Sequence, residues 1–457
     1  MRRLRAALGA LAVVAWVVAS PGPALAAPGD FAPAEQLKTA TPIKHFLVLM
    51  QENHSFDNYF GTYPGADGLP HDTCMPVDNG QDPSKPHTRD TCVKPYHLGG
   101  QAVLGLGHSK AVYEAEYAGG RMDGFINVFS QRRDVGSQAM GYYDDRDLPY
   151  YWNVADNYVL FDRMFTSASA GSVWNHMFWV TGTPGNYRED ALLTTGFDRV
   201  PTIFDSLQRA GISWKFYVQN YRPTVNFRTP GSSDAASQIV WVPPLNYNRF
   251  LDDPALNSRI VDMDEYYKDL ANGTLPAVSF MVPSGASEHP PGSIQAGERF
   301  VRTLINALMA SSSWSRSAFM WTYDDWGGWY DHVKPPKVDA YGYGFRSPAL
   351  LVSPYAKRGH VDHTQLDFTS ELTFIENNWD VAPLAERDKK ANDITTAFDF
   401  TAGPREPVLL DTVRDAAPSP GSRSGVVYLC YGAALLAAPV VAVVGRRRRR
   451  SPTETSR

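Results

Sequence analysis

Two short runs in this chain carry carboxylates directly after stretches that read as buried strands. Gln51-Glu52-Asn53-His54-Ser55-Phe56-Asp57 follows the apolar run Ile43 to Met50, and Asp324-Asp325-Trp326-Gly327-Gly328 follows Ala318 to Tyr323, with Asp331-His332 shortly beyond. Adjacent carboxylates at a buried strand end repel each other and lose hydration, and a cation between them relieves both costs. Glu52, Asn53, Asp324 and Asp325 together make an oxygen-rich site for a hard cation. Each run alone reads as a loop cap or a turn; the recurrence at two strand ends is what points to metal.

Three further segments carry reactive side chains. Ser167-Ala-Ser-Ala-Gly-Ser172-Val-Trp-Asn175-His176 opens an apolar helical stretch reaching Val180. Small residues allow close approach to a ligand, and a hydroxyl at a helix N-terminus can attack phosphorus while the helix dipole steadies the anion. Ser172 also reads as an ordinary helix cap. Glu288-His289-Pro290-Pro291 follows the strand-like Ala277 to Met281, and Gly107-His108-Ser109 stands apart. A histidine beside an anion can donate to phosphate oxygens or ligate a transition metal. Of the eleven histidines, His87, His97, His176 and His360 receive no role from the sequence.

The elements that must position these groups alternate. Ile43–Met50, Ser213–Val218, Ala277–Met281, Ala318–Tyr323 and Ala349–Val352 read as buried strands, and helical patterns lie between them over 202–209, 298–309 and 370–379. That order predicts an α/β fold, a large mostly parallel sheet sandwiched by helices, with ligands bound beyond the carboxyl ends of the strands. Residues 62–107 read as a loop excursion over that face. Cys74 and Cys92 lie in this stretch and are expected to form a disulfide, since no further cysteine is at hand for a metal site.

The termini differ from the middle. Three arginines, an apolar run to Ser20 and the small-x-small signal Ala24-Leu25-Ala26 predict a secretory leader over residues 1–26. Residues 401–424 are rich in Pro, Ser and Gly and read as a stalk. Residues 425–445 carry no charge and as a helix would be about 31 Å long, the thickness of a bilayer core. Arg446 to Arg450 follow, so the tail 446–457 is expected in the cytoplasm and the catalytic part, 27–400, outside the cell. Setting aside the leader's three arginines, the six basic residues from Arg446 on and Glu454 leaves 34 basic against 47 acidic residues, about −13. Such a domain is a poor general binder of nucleic acid.

ENHSFDNYFG (52–61), GGRMDGF (119–125), the small-residue loop with Ser172 and Asn175, SEHPP (287–291) and TYDDWGGWYDHVKPP (322–336) occur in this order. Together they resemble the bacterial phosphoesterase family that contains the non-specific phospholipases C and a group of acid phosphatases, over about residues 42–380. That family is similar in fold to alkaline phosphatase. The resemblance implies Glu52, Asn53, Asp324 and Asp325 as metal ligands and Ser172 as a metal-bound nucleophile, where phospholipase members often carry Thr. It implies Asn175 and His108 as holders of phosphate oxygens, and His289 as a phosphate contact or the acid for the leaving group. The metal is left open: oxygen ligands favour Mg, Ca or Mn, and nearby histidine allows Zn or Fe. The substrate is a phosphate ester, either a phospholipid or a small phosphomonoester, and the membrane is a partner through the C-terminal helix. Two departures stand out. The family's acidic pair is often Asp-Glu followed by His, whereas Trp326 stands here, and the chain ends in a predicted anchor where full-length phospholipases carry further β-rich domains. Trp326, Trp329, Tyr330 and Tyr341 read as an apolar mouth or as core.

Two rival readings remain. A sulfatase would need a Cys or Ser in a C/S-x-P-x-R run, and Cys74-Met-Pro-Val-Asp78 ends in Asp. A non-catalytic, membrane-tethered binding protein of the same fold is favoured only by the missing histidine at position 326.

Overall fold

Every residue from His45 to Gln51 is buried, as is every residue from Ser317 to Tyr323. Strands covered on both faces read as unbroken apolar runs, and these two lie side by side at the centre of an eight-stranded sheet. The computed structural model describes residues 31–77, 92–129, 133–185, 191–192, 195–197, 199–230 and 233–410. The predicted leader, the membrane span 425–445 and the basic tail lie outside the described residues, as does His87. No helix among the described residues is long and apolar enough to cross a membrane.

In chain order the sheet strands are β1 (His45–Gln51), β2 (Val159–Phe161), β3 (Trp214–Val218), β4 (Ile260–Asp262), β5 (Val278–Val282), β6 (Ser317–Tyr323), β7 (Ala349–Val352) and β8 (His360–Asp362). Their spatial order is β8-β2-β7-β6-β1-β5-β3-β4. Five of the seven pairings are parallel; β7 runs antiparallel to both β6 and β2, so the sheet is mixed rather than uniformly parallel. Three strands escaped the sequence pattern, β2, β4 and β8, each only three residues long.

The helices that matter for the site are α1 (Phe56–Phe60), α2 (Lys110–Tyr117), α3 (Pro149–Asn157), α4 (Ser172–Thr181), α5 (Ile203–Ala210), α6 (Ile294–Met309) and α7 (Phe368–Trp379). Side chains alternate across the sheet. Phe46, Phe216 and Phe280 meet Phe374 of α7, Phe204 of α5 and Trp179 of α4. Trp321 meets Tyr151 of α3, and Tyr217 meets Tyr266, on the other face. Helices therefore cover both faces. The helix starts follow ordinary chemistry: Thr202 and Asp205 form a reciprocal capping box at α5, and Gly211 ends it in the left-handed region.

The Cys74–Cys92 disulfide is formed. Residues 401–410 lie against the domain: the Arg405 guanidinium donates to the Ala356 carbonyl (2.8 Å), and Leu410 is buried.

Candidate active site

The parallel register of β1 and β6 pairs Gln51 with Tyr323, so the turns that follow leave the sheet together. The Asp324 N–H donates back to the Gln51 carbonyl (3.1 Å). The Asn53 N–H donates to Asp324 Oδ1 (3.2 Å), and Asn53 Nδ2 donates to Asp325 Oδ1 (2.6 Å). Asn53 sits at φ 63°, a conformation that asparagine tolerates better than most residues. Gly327 crosses so close that a Cβ there would lie 2.2 Å from the Asn53 carbonyl oxygen. Only glycine permits that approach, and it lets the Gly327 N–H donate to Asp325 Oδ1 (2.8 Å).

The small-residue loop brings Ser172 to this pair. Gly171, not Ser172, is the cap residue of α4, so the serine hydroxyl is not spent on capping. It donates instead to Asp325 Oδ2 (3.2 Å). Asn175, expected to hold phosphate, holds the loop: its Oδ1 accepts from the Ala168 N–H (2.9 Å), and its Nδ2 donates to the carbonyls of Ala170 and Gly171 (both 3.1 Å). One turn on from Ser172, buried His176 places Nε2 3.3 Å from Glu52 Oε1 and 3.7 Å from Asp324 Oδ2. The sequence reading gave it no role. Its i, i+4 spacing from Ser172 was the available signal, because residues four apart share a helix face.

His108 and His289 form the half-exposed side of the site, with ring centroids 5.3 Å apart. Each ring's Nδ1 is hydrogen-bonded to a carbonyl, Leu106 O at 3.0 Å and Pro290 O at 2.8 Å. A carbonyl only accepts, so each Nδ1 carries a proton and each Nε2 is left to act. Trp326 and Trp329 are fully buried and belong to the core rather than to a mouth. Trp326 Nε1 donates to Glu116 Oε2 (2.5 Å) from α2, the helix that begins just after His108.

The electrostatics are those of a site built around positive charge. Burial, then the charges of Asp324 and Asp325, push the Glu52 carboxyl well above the usual range. Burial and Asp325 push Asp324 up to about 7, against the pull of Ser172, His108 and His289. Burial pulls His176 down to about 3, so it is neutral. Asn53 Oδ1 and Asp324 Oδ2 are buried with no hydrogen-bond partner among the described residues. Two unpartnered oxygens amid three crowded carboxylates fit a metal ion, which would discharge the repulsion and complete their bonding.

Two braces were not legible in the sequence. Buried Arg346 spans the segments that continue the two turns: its Nε donates to Asp331 Oδ1 (2.9 Å), and its Nη2 donates to Asp57 Oδ1 (3.0 Å) and Asp331 Oδ2 (3.0 Å). Its Nη1 caps the carbonyls of Asp67 and Asp162 (both 2.8 Å). Glu288, next to His289, accepts from the hydroxyls of Tyr59 (2.5 Å), Tyr151 (2.5 Å) and Tyr323 (3.0 Å). Cys74 is held in the disulfide, which removes it as a formylglycine precursor and with it the sulfatase reading.

Known proteins share this arrangement of sequence. The chain is 28% identical over 422 residues to phospholipase C B of Mycobacterium tuberculosis (strain CDC 1551 / Oshkosh), covering 80% of this chain and 79% of that protein. It is 27% identical to the non-hemolytic phospholipase C of Pseudomonas aeruginosa, covering 80% of this chain and 58% of the other. Non-specific phospholipase C1 of Arabidopsis thaliana is 26% identical, over 81% of this chain and 73% of that protein. Among solved structures, an alkaline phosphatase superfamily protein of Vibrio parahaemolyticus matches with a TM-score of 0.36 and 12% identity, over 76% of this chain and 68% of that one. A likeness that remote carries no argument about the site. The Phosphoesterase family model matches residues 43–382, which include both carboxylate turns, the serine helix and the two histidines, and the chain belongs to the Phosphoesterase family of phosphoric-ester hydrolases.

Proposed function

We propose that this protein is a metal-dependent phosphoesterase on an alkaline-phosphatase-like scaffold, working through a phosphoserine at Ser172. The observation that carries the reading is the Ser172 hydroxyl seated on Asp325 above a buried carboxylate cluster with two unpartnered oxygens. Glu52, Asn53, Asp324, Asp325 and Ser172 would hold the metal, which supplies the charge that acidifies the serine hydroxyl and screens the phosphate.

The chain's own groups do the rest. Asp325 orients Ser172 Oγ and receives its proton as the oxygen attacks phosphorus in line. The start of α4 adds a favourable dipole for the incoming anion. Hydrogen bonds occupy the Nδ1 atoms of His108 and His289 and leave their Nε2 atoms to act. Since Nδ1 is already protonated, Nε2 has a proton to give only when the ring is cationic. In that form His108 holds a phosphate oxygen, and His289 protonates the departing ester oxygen. Water then cleaves the phosphoserine and returns the hydroxyl.

The similarity to proteins named phospholipase C supports a phospholipid substrate; a soluble phosphate ester needs the same groups. The leader-like N-terminus, the uncharged run 425–445 with its arginine block, and the Cys74–Cys92 disulfide support a membrane-tethered domain outside the cell. Ser172→Ala is expected to lower turnover of a phosphocholine lipid or a simple phosphate ester by at least ~10³-fold with folding intact. Acid-quenched wild type should carry a phosphoryl group on the Ser172 peptide, and excess chelator should silence it. Near-native hydrolysis by Ser172→Ala would refute the covalent route, and full activity in chelator would refute the metal.

A further inference from the structure

We propose that His176 is a nitrogen ligand of the metal at this site, and that through it the site selects a late first-row transition-metal ion over Mg²⁺ or Ca²⁺. The inference rests on the reading that a metal occupies the carboxylate cluster and names what kind of ion that is.

His176 is 1% exposed, and ligand atoms from Glu52, His176 and Asp324 all lie within 4.8 Å of one another. Its Nε2 stands 3.3 Å from Glu52 Oε1, a hydrogen bond longer than the usual range of about 2.7–3.2 Å, and 3.7 Å from Asp324 Oδ2, too far for one. Donors ~2.1 Å from a common tetrahedral or octahedral ion are about 3.0–3.5 Å apart; the Glu52 spacing falls in that range and the Asp324 spacing lies about 0.2 Å beyond it, so a small closure brings all three onto one ion. The carboxylate oxygen on the Asp324 side, Oδ2, has no hydrogen-bond partner. The ring's other nitrogen, Nδ1, also meets no partner, so its orientation is set from the Nε2 side.

The register of α4 gives the arrangement its use. Ser172 and His176 are one turn apart on one helix face, so a single rigid element would present both the nucleophile and a metal ligand. Without His176 the donor set is all oxygen and suits Mg²⁺, Ca²⁺ or Mn²⁺; one imidazole moves the preference towards Fe²⁺, Co²⁺ or Zn²⁺.

The test is metal binding rather than turnover. Metal-free full-length wild type, His176→Ala and His176→Gln are titrated calorimetrically with Co²⁺, Zn²⁺, Mg²⁺ and Ca²⁺, with circular dichroism as a check on folding. Wild type should bind Co²⁺ and Zn²⁺ at least ~100-fold more tightly than Mg²⁺ or Ca²⁺. Both variants should lose at least ~10-fold in Co²⁺ and Zn²⁺ affinity while Mg²⁺ changes less than ~3-fold, with the Co²⁺ visible spectrum altered. Unchanged Co²⁺ and Zn²⁺ affinity, or full rescue by glutamine, would overturn the proposal and leave His176 as a hydrogen-bond partner of Glu52. Wild type that binds none of the four ions would overturn the metal reading itself. Should the variants not fold, X-ray absorption of Zn²⁺-loaded wild type decides: imidazole scattering is expected, and its absence refutes ligation.

Discussion

Glu288 offers a prediction whose sign and size both follow from its surroundings. It is fully buried beside His289, and three tyrosine hydroxyls converge on it. Burial pushes its carboxyl from 4.5 up to about 8, even though the tyrosine hydrogen bonds pull the other way. The folded protein therefore keeps a proton that the unfolded chain releases near pH 4.5. Stability from this group is fully present below pH 4.5 and is lost as pH rises towards 8, at up to ~1.4 kcal/mol per pH unit. Glutamine has the same shape and never ionises. At pH 5 Glu288→Gln should cost ~1 kcal/mol, because an amide replaces the acid's O–H donor among the phenols. Between pH 5 and pH 7 the wild type loses ~2.7 kcal/mol that the variant keeps, so the two stabilities should cross. Urea denaturation of both proteins at half-unit steps from pH 5 to 8 measures this. The other elevated carboxyls, Glu52 and Asp324 among them, are common to both proteins and cancel in the difference. A stability difference that stays constant across the range would mean that Glu288 is charged in the folded state, and the argument from burial would be wrong.

Among the described residues Trp326 is the only donor to the buried Glu116 carboxyl, whose Oε1 already lacks a partner, so Trp326→Phe should cost ~2–4 kcal/mol in thermal or urea denaturation. Because Trp326 ties the Asp325 turn to the helix behind His108, phosphoesterase turnover should fall as well; unaltered stability would count against the bond. Arg346→Met leaves Asp331 buried without its cation and Asp57 with His332 alone, and should cost ~3–5 kcal/mol by urea denaturation. Replacing Cys74 and Cys92 by serine opens a loop with a sequence separation of 18 and should cost ~3 kcal/mol, read from the shift in denaturation midpoint.

What the sequence made legible was local. β1 and β6 are each buried along all seven residues around an apolar centre, and the polar groups that follow them could be placed at a sheet edge before any coordinates. β2, β4 and β8 carry three residues each, too few for a period to declare itself, and they gain their order from neighbours already in place. β7 was legible as a strand but not in direction. Side-chain alternation is the same in parallel and antiparallel strands, and direction is set by how the chain between 324 and 348 returns to the sheet.

The same division runs through the site. Glu52, Asn53, Asp324 and Asp325 announce themselves because each pair is crowded within its own turn. Arg346 looked like any arginine, since its partners Asp57 and Asp331 lie 289 and 15 residues away. Trp326 read as a departure from the family pattern, and its meaning rests on Glu116, 210 residues distant. His176 read as one helical residue among apolar neighbours, and only the fold sets its ring between carboxylates from the turns after β1 and β6. The groups that sequence exposes are those whose electrostatic conflict is local. The groups that resolve the conflict come from elsewhere in the chain, because a buried carboxylate pair can be neutralised by any cation or donor the fold brings within reach. In this protein Arg346 does so for Asp57 and Asp331 and the Trp326 indole for Glu116, while the Glu52, Asp324 and Asp325 carboxylates keep the repulsion that a metal ion would discharge.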